Sequence, residues 1–273
     1  LFYTMKKEKE TETLQACTVE IWYAGQKGDS KGVAIQQVID EFNKTYDTIT
    51  YNVKAVEPSE YSQTVKKAIN QNTLPQLFES TGFNGMDLKN TTVVSGALDR
   101  ANNQNYGTFR FLKKYKEYFP EGNQLPLGFN APVKYYIENK QENIENIAGT
   151  PRELFLAGFA DNYTGTTADY QDVVKKLAGR VMTFKPITEK KVDCTFSEFW
   201  SMGKCDKEQK RAAEWTLACF LTNKAQFQLL NPSISRSLPL NEETLIWWST
   251  KIYPEFGDTE FFKNADDYEI RIE

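Results

Sequence analysis

Two hydrophobic periods alternate along the first part of this chain, and that alternation restricts the fold more than any other feature. Residues 18–24 (TVEIWYA) switch between polar and apolar and carry β-branched and aromatic side chains, so a strand is expected. Residues 25–32 (GQKGDSKG) form a glycine-rich turn. Ile35, Val38, Ile39, Phe42 and Tyr46 then recur at helical spacing, which predicts an amphipathic helix with one buried face. Residues 49–56 (ITYNVKAV) alternate again as a second strand. Pro58 and Ser59 open a second helix, with Ser59 the expected N-cap and Tyr61, Val65, Ala68 and Ile69 its apolar stripe. Residues 74–80 (LPQLFES) are a third strand, reached through Pro75. Strand, helix, strand, helix, strand with short links predicts a parallel α/β sheet. Ligands of open parallel sheets bind beyond the carboxyl ends of the strands, so Trp22, Tyr23, Glu79 and Thr81 are expected at a mouth.

The later chain is less regular. Residues 89–106 are polar and rich in Asn, and a surface excursion is expected there. Residues 109–118 read as a short aromatic helix, and residues 125–136 as extended chain held out of helix by Pro126 and Pro132. A helix over 151–158, a strand-to-turn segment over 160–167, a helix over 169–177 and a strand over 180–187 follow. Asp206, with Gln209 three residues on, predicts a capped helix whose stripe is Ala213, Leu217, Phe220 and Leu221.

Composition excludes several chemistries. The 273 residues contain no histidine, which removes the commonest general base and zinc ligand, though carboxylate, Lys and Tyr chemistry remains. The four cysteines (Cys17, Cys194, Cys205, Cys219) have no CxxC or metal-ligand spacing, so neither a metal nor an organic cofactor is expected. They allow three disulfide pairings, or buried free thiols. A net charge of −4 from 33 basic and 37 acidic residues gives no basic face for nucleic acid. The mixed-sign stretch 6–12 reads as a solvated leader, and no apolar run is long enough for a membrane-spanning helix. Leu14-Gln15-Ala16-Cys17 is similar to a lipobox, but charged residues precede it, and a strand-opening cysteine is the preferred reading. Asn43, Asn90 and Asn162 match the glycosylation triplet, a pattern common by chance. Aromatics make up 14% of the chain, a surplus suited to gripping flat ligand faces.

The order of these phrases resembles the extracellular solute-binding proteins of ABC importers, in particular the sugar-binding members (family 1). The resemblance rests on VEIWYAG at 19–25 and on Asp40-Glu41-Phe42-Asn43-Lys44 closing the first helix. It continues through Tyr61, Val65, Ala68 and Ile69 in the second, then Pro75, Leu77 and Phe78. Further on it takes in Pro126-Leu127-Gly128-Phe129-Asn130 leading to Tyr135-Tyr136, Phe155-x-x-Gly158, and Tyr163-Thr164-Gly165-Thr166. Ala212 through Thr222, and Ser237-Leu238-Pro239-Leu240, complete it. Gln76 and Ile137 depart from the family pattern, and the chain between Tyr136 and the late helix is shorter than usual.

The resemblance implies an α/β, two-lobe periplasmic-binding-protein-like fold with a hinge and an interlobe cleft. The expected divisions are a leader over 1–16, a first lobe over 17–130, a shortened second lobe over 131–195, and a return over 196–273 packing mainly on the first. It implies a non-enzymatic, monomeric, extracytoplasmic, lipid-anchored bacterial protein that passes a carbohydrate, an oligosaccharide, to permease subunits. Expected ligand contacts are Trp22, Tyr23, Glu79, Thr81, Tyr135, Tyr136, Thr164, Thr166, Phe199, Trp200 and Arg236, with Trp200 and Tyr23 as facing platforms. The alternatives are a surface adhesin or recruited binding protein without a transport role, and a carbohydrate-cleaving enzyme using Glu57 and Glu79.

Overall fold

The computed structural model describes residues 12–104, 115–138, 147–178, 182–186, 191–252, 254 and 269–272. The early alternation is realised as β1 (Cys17–Ala24), α1 (Ser30–Asn43), β2 (Ile49–Val56), α2 (Pro58–Gln71) and β3 (Leu77–Glu79). β1 pairs in parallel with both β2 and β3. Two caps differ in kind. Asp29 accepts from the Gly32 amide at the start of α1, whereas α2 begins at Pro58 with Glu57 as an uncapped N-cap, so Ser59 lies inside the helix. Pro at the first helical position has no amide to leave unpaired, which relieves the need for a cap.

The polar stretch expected to be a surface excursion contains α3 (Ser95–Asn103), which buries Ala97, Leu98 and Ala101. Its apolar face is made of small residues, and the longer side chains around it are polar; that composition hides the helical period. After α4 (Tyr115–Tyr118), β4 (Leu125–Asn130) and β5 (Pro132–Ile137) are the extended pair expected around the prolines, and residues 109–114 lie outside the described residues. α5 (Pro151–Leu156), β6 (Asn162–Thr166), a single 3-10 turn, α6 (Tyr170–Lys176) and β7 (Met182–Pro186) follow. β8 (Lys191–Met202) is the longest strand. The chain then runs through α7 (Lys207–Cys219), α8 (Asn223–Leu229), β9 (Leu238–Pro239), α9 (Glu242–Trp247) and β10 (Glu269–Ile272). Asp206 and Gln209 form the expected capping box on α7.

The strands divide into a seven-stranded sheet, β2-β1-β3-β8-β4-β9 with β10 on β8, and a three-stranded sheet, β6-β5-β7. The large sheet is parallel at its β2-β1-β3 end and antiparallel from β3 through β8 and β4 to β9, while β10 pairs in parallel with β8. Apolar residues cover both of its faces. Trp22, Val56, Tyr61, Val65, Phe78 and Leu88 cluster around α2, while Ile21, Tyr23, Ile35, Ile39, Leu217 and Phe220 belong to the larger core. The small sheet buries Val133, Tyr135 and Ile137 with Phe155, Tyr170 and Val173, and this group belongs to the same core cluster as Phe129 and Ala131.

The residues before β1 are built into the first lobe. Leu14 is 4% exposed, and Glu12 receives the Trp215 indole N–H at 2.7 Å and ion pairs from Arg100 and Arg211. Burial raises the pKa of Glu12, but the bonds from Trp215, Arg211 and Arg100 outweigh it and hold the carboxyl below its usual value. Cys17 opens β1 opposite Ile49, and cleavage before it would discard the Leu14 and Glu12 contacts. This places Cys17 as a strand-opening residue. All four cysteines are unpaired thiols.

Candidate functional site

The parallel strands β1, β2 and β3 end at Ala24, Val56 and Glu79, which defines one edge of the large sheet. β8 runs antiparallel to β3 and pairs Trp200 with Glu79. Its preceding residues, Thr195 to Phe199, therefore continue past that edge, with β4 alongside from Pro126 to Asn130. From the second lobe, Thr167 docks on the β4–β5 junction. Its amide donates to the Ala131 carbonyl at 2.9 Å, and its hydroxyl oxygen accepts from the Ala131 amide at 3.1 Å. The Asn130 amide lies 3.2 Å from the Thr167 hydroxyl and 3.3 Å from the Arg236 carbonyl; with its nitrogen on that side it donates to both. Arg236 reaches across to Asp172 on α6 at 3.3 Å. The carboxyl edge, the overshoot of β8 and loop 231–237 thus frame an opening between two lobes.

No protein-family model matches the sequence, and no curated protein matches it. Solved structures do match. An extracellular solute-binding protein family 1 member from Alicyclobacillus acidocaldarius aligns over 95% of this chain and 88% of its own, with a TM-score of 0.67 at 13% identity. A cyclic α-maltosyl-1,6-maltose binding protein from Arthrobacter globiformis aligns over 94% and 88%, with a TM-score of 0.65 at 10% identity. A maltodextrin binding protein from L. casei gives the same coverage, TM-score and identity. The fold is that of the two-lobed solute-binding proteins. In that fold the opening between the lobes is the interlobe cleft, and the expected ligand residues can be placed against it.

Several of them are core. Trp22 is 8% exposed and packs in the α2 cluster; its indole donates to Glu20, and the Lys54 ammonium lies 4.6 Å from its ring centroid. Tyr23 is 2% exposed beneath the start of α1, where its hydroxyl donates to the Gln26 carbonyl at 3.1 Å. Burial, with the charges of Asp29 and Glu79 added, pushes its phenol up to about 12. Trp200 is 3% exposed and meets Phe220 edge-on at 5.1 Å. The expected pair of facing platforms, Trp200 and Tyr23, is therefore corrected: both rings are buried and neither can stack on a ligand. Tyr135 is likewise internal, parallel to Tyr163 at 6.2 Å, with its hydroxyl donating to the Thr166 carbonyl at 2.5 Å.

Glu79 is buried and already committed. One carboxylate oxygen accepts from the Ala24 amide at 2.7 Å and the other from Lys31 at 2.9 Å, while Lys31 also donates to the Ala24 carbonyl at 3.2 Å. Burial raises its pKa against the opposing pull of Lys31. This clip fastens the end of β1 to α1 and engages both carboxylate oxygens of Glu79. Thr166 serves the turn after β6: its hydroxyl oxygen accepts from the Ala168 amide at 3.2 Å, and its amide donates to Asp169 at 3.0 Å.

The rest remain accessible. Thr81 is exposed at the mouth, and its hydroxyl oxygen accepts from the Phe199 amide at 3.1 Å. Phe199 is half-buried and packs edge-on to Phe119 at 5.7 Å. Arg236 is half-exposed on its loop. Tyr136 and Thr164 lie on one face of the small sheet, opposite that of Tyr135, on strands that pair Lys134 with Thr164 and Tyr136 with Asn162. Thr81 and Phe199 thus lie together beside the overshoot of β8, Arg236 lies on loop 231–237, and Tyr136 and Thr164 share one face of the small sheet.

Sequence reasoning missed Glu198 and Ser235. Glu198 has φ +56° in the middle of β8, and its carboxylate accepts from the Ser235 hydroxyl at 2.7 Å. Strict alternation would put Glu198 in one row with Phe196 and Trp200, a carboxylate between two core aromatics. That mismatch is the signal that could have found it. The left-handed residue breaks the row: Phe196 and Phe199, three apart, both pack on Phe119 at 5.6 and 5.7 Å, while Trp200 turns to Phe220. Such a conformation costs a non-glycine residue about 1–2 kcal/mol.

A cavity of about 750 Å³ lies between α1, α7 and α8, against Phe42, Tyr46, Trp215 and Phe227. Its polar lining includes Gln37, Thr45, Thr222 and the exposed Glu41–Lys224 pair.

Proposed function

We propose that this chain is an extracytoplasmic binding protein that captures an oligosaccharide between its lobes and delivers it to an ABC permease. The observation that carries the reading is the shared fold with proteins described as binding maltodextrin, cyclic maltosyl-maltose, mannotriose, cycloalternan and acarbose. The cleft chemistry is compatible with it. Phe199 offers an apolar face for sugar C–H groups, and Thr81 and Arg236 offer hydrogen-bond partners around it. Tyr136 and Thr164 are second-lobe candidates for contacts made on closure, a hinge motion driven by contacts that only the closed state makes.

The enzyme reading has less to support it. Glu79, one of the two carboxylates it needs, is held by Lys31 and the Ala24 amide. Thermal unfolding in the presence of maltotriose, mannotriose, a cyclic glucan and acarbose tests the proposal, because a ligand of the native state must raise its stability. A rise in Tm with one of these, without release of a shorter sugar, is the expected result. No rise with any saccharide overturns the oligosaccharide reading.

A further inference from the structure

The strain at Glu198 is not explained by the backbone it serves. Asn72, the other left-handed non-glycine among the described residues, closes α2 at a position where Asn is ordinary. Glu198 sits within a strand. A glycine there would give β8 the same change of face without a Cβ to oppose it. The sequence instead puts its carboxylate at the point where β8 passes the carboxyl edge of the large sheet, beside the loop that reaches the second lobe. One oxygen takes the Ser235 hydroxyl, and among the described residues the other oxygen has no partner. Ser235 belongs to a loop held on both sides: Ser197 donates to Ser237 at 2.7 Å, and Arg236 meets Asp172. The half-buried Glu198 is therefore positioned, partly desolvated and half-occupied.

We propose that Glu198 is a ligand-binding residue, held out of its strand so that its free carboxylate oxygen accepts hydroxyl hydrogens from a saccharide in the interlobe cleft. This rests on the oligosaccharide reading given above. Carboxylates make the stronger, shorter hydrogen bonds with hydroxyls and discriminate against analogues that lack them.

The two aspects of Glu198 separate in two variants. Glu198→Gly removes strain and carboxylate together; Glu198→Gln keeps the strain and removes the charge. With maltotriose and mannotriose as probes, titration calorimetry on the full chain should give a roughly 10- to 100-fold weaker affinity for Glu198→Gly and a smaller loss for Glu198→Gln. The Tm of ligand-free Glu198→Gly should equal or exceed that of the parent. A Glu198→Gly protein that binds as tightly as the parent overturns this proposal and leaves the oligosaccharide reading standing. A clearly lower Tm for Glu198→Gly also overturns it, because the side chain would then stabilise the fold. A parent that binds neither probe nor any other saccharide overturns the oligosaccharide reading, and this inference falls with it.

Discussion

The two lobes are built to different specifications. In the first, helices cover both faces of a long mixed sheet; the Glu79–Lys31 clip fastens its carboxyl edge, and the Glu12 network ties the chain before β1 to α3 and α7. In the second, a three-stranded sheet has one face packed on Phe155, Tyr170 and Val173, while Lys134, Tyr136 and Thr164 line the other. The difference teaches that the first lobe carries a two-sided core of its own, whereas the second buries one face of a small sheet within the shared cluster.

The strongest way to break that comparison is to hollow out each lobe. Trp200→Ala should cost about 3–5 kcal/mol in urea unfolding, and Phe155→Ala a similar sum within its own lobe. Hydrogen exchange should then show protection lost across the whole chain in Trp200→Ala, and lost mainly over residues 132–176 in Phe155→Ala. Loss of protection in β1 on Phe155→Ala would mean that the lobes unfold as one unit.

Lys31→Met should come next, destabilising the protein by about 3 kcal/mol at neutral pH because it leaves a buried carboxylate unpaired. The sign with pH is specific. Burial raises the Glu79 pKa in the folded state, so the variant should regain stability as pH falls through that raised value. A Lys31→Met protein whose Tm only drops on acidification would contradict the assignment.

Glu12 should behave in the opposite sense and more weakly. Its folded pKa is lowered, so its contribution, about 1 kcal/mol, is present above the ordinary carboxylate value and is lost as pH falls through the folded one. The parent should therefore lose stability between pH 5 and pH 3 (on the order of the carboxylate range) that Glu12→Gln does not lose. The smallest effect belongs to the Arg236–Asp172 pair. Arg236→Ala should change stability by less than about 0.5 kcal/mol, since the arginine is half-exposed, but it should make the interlobe distance measured by spin labels less sensitive to salt.

The first lobe was the more legible of the two in the sequence, because its strands and helices each bury a face and so write their period into the residues. β1, α1, β2 and α2 stand close to where periodicity placed them. α3 escaped because a face of Ala97, Leu98 and Ala101 is too small to mark a period among polar neighbours. At the cleft, position along the chain was readable but orientation was not. The end of β1 was located correctly, yet Trp22 and Tyr23 are both internal because this sheet is covered on both faces, so alternation sends one ring to each layer. Residues 199 and 200 were likewise found, and the left-handed turn at Glu198 decided which of them faces inward.

The four unpaired thiols have a practical consequence. Burial is the main reason that each resists ionisation: Cys194 and Cys205 are pushed up to about 12 and Cys219 to about 11, with Cys17 also raised. Only the thiolate reacts readily with alkylating or oxidising reagents, so the folded chain should be nearly inert to them. Cys194 lies on β8 near its passage between the lobes, whereas Cys205 and Cys219 flank α7 on the first lobe. Together they form a built-in clock: the order in which they become alkylated during slow unfolding records which part of the molecule opens first.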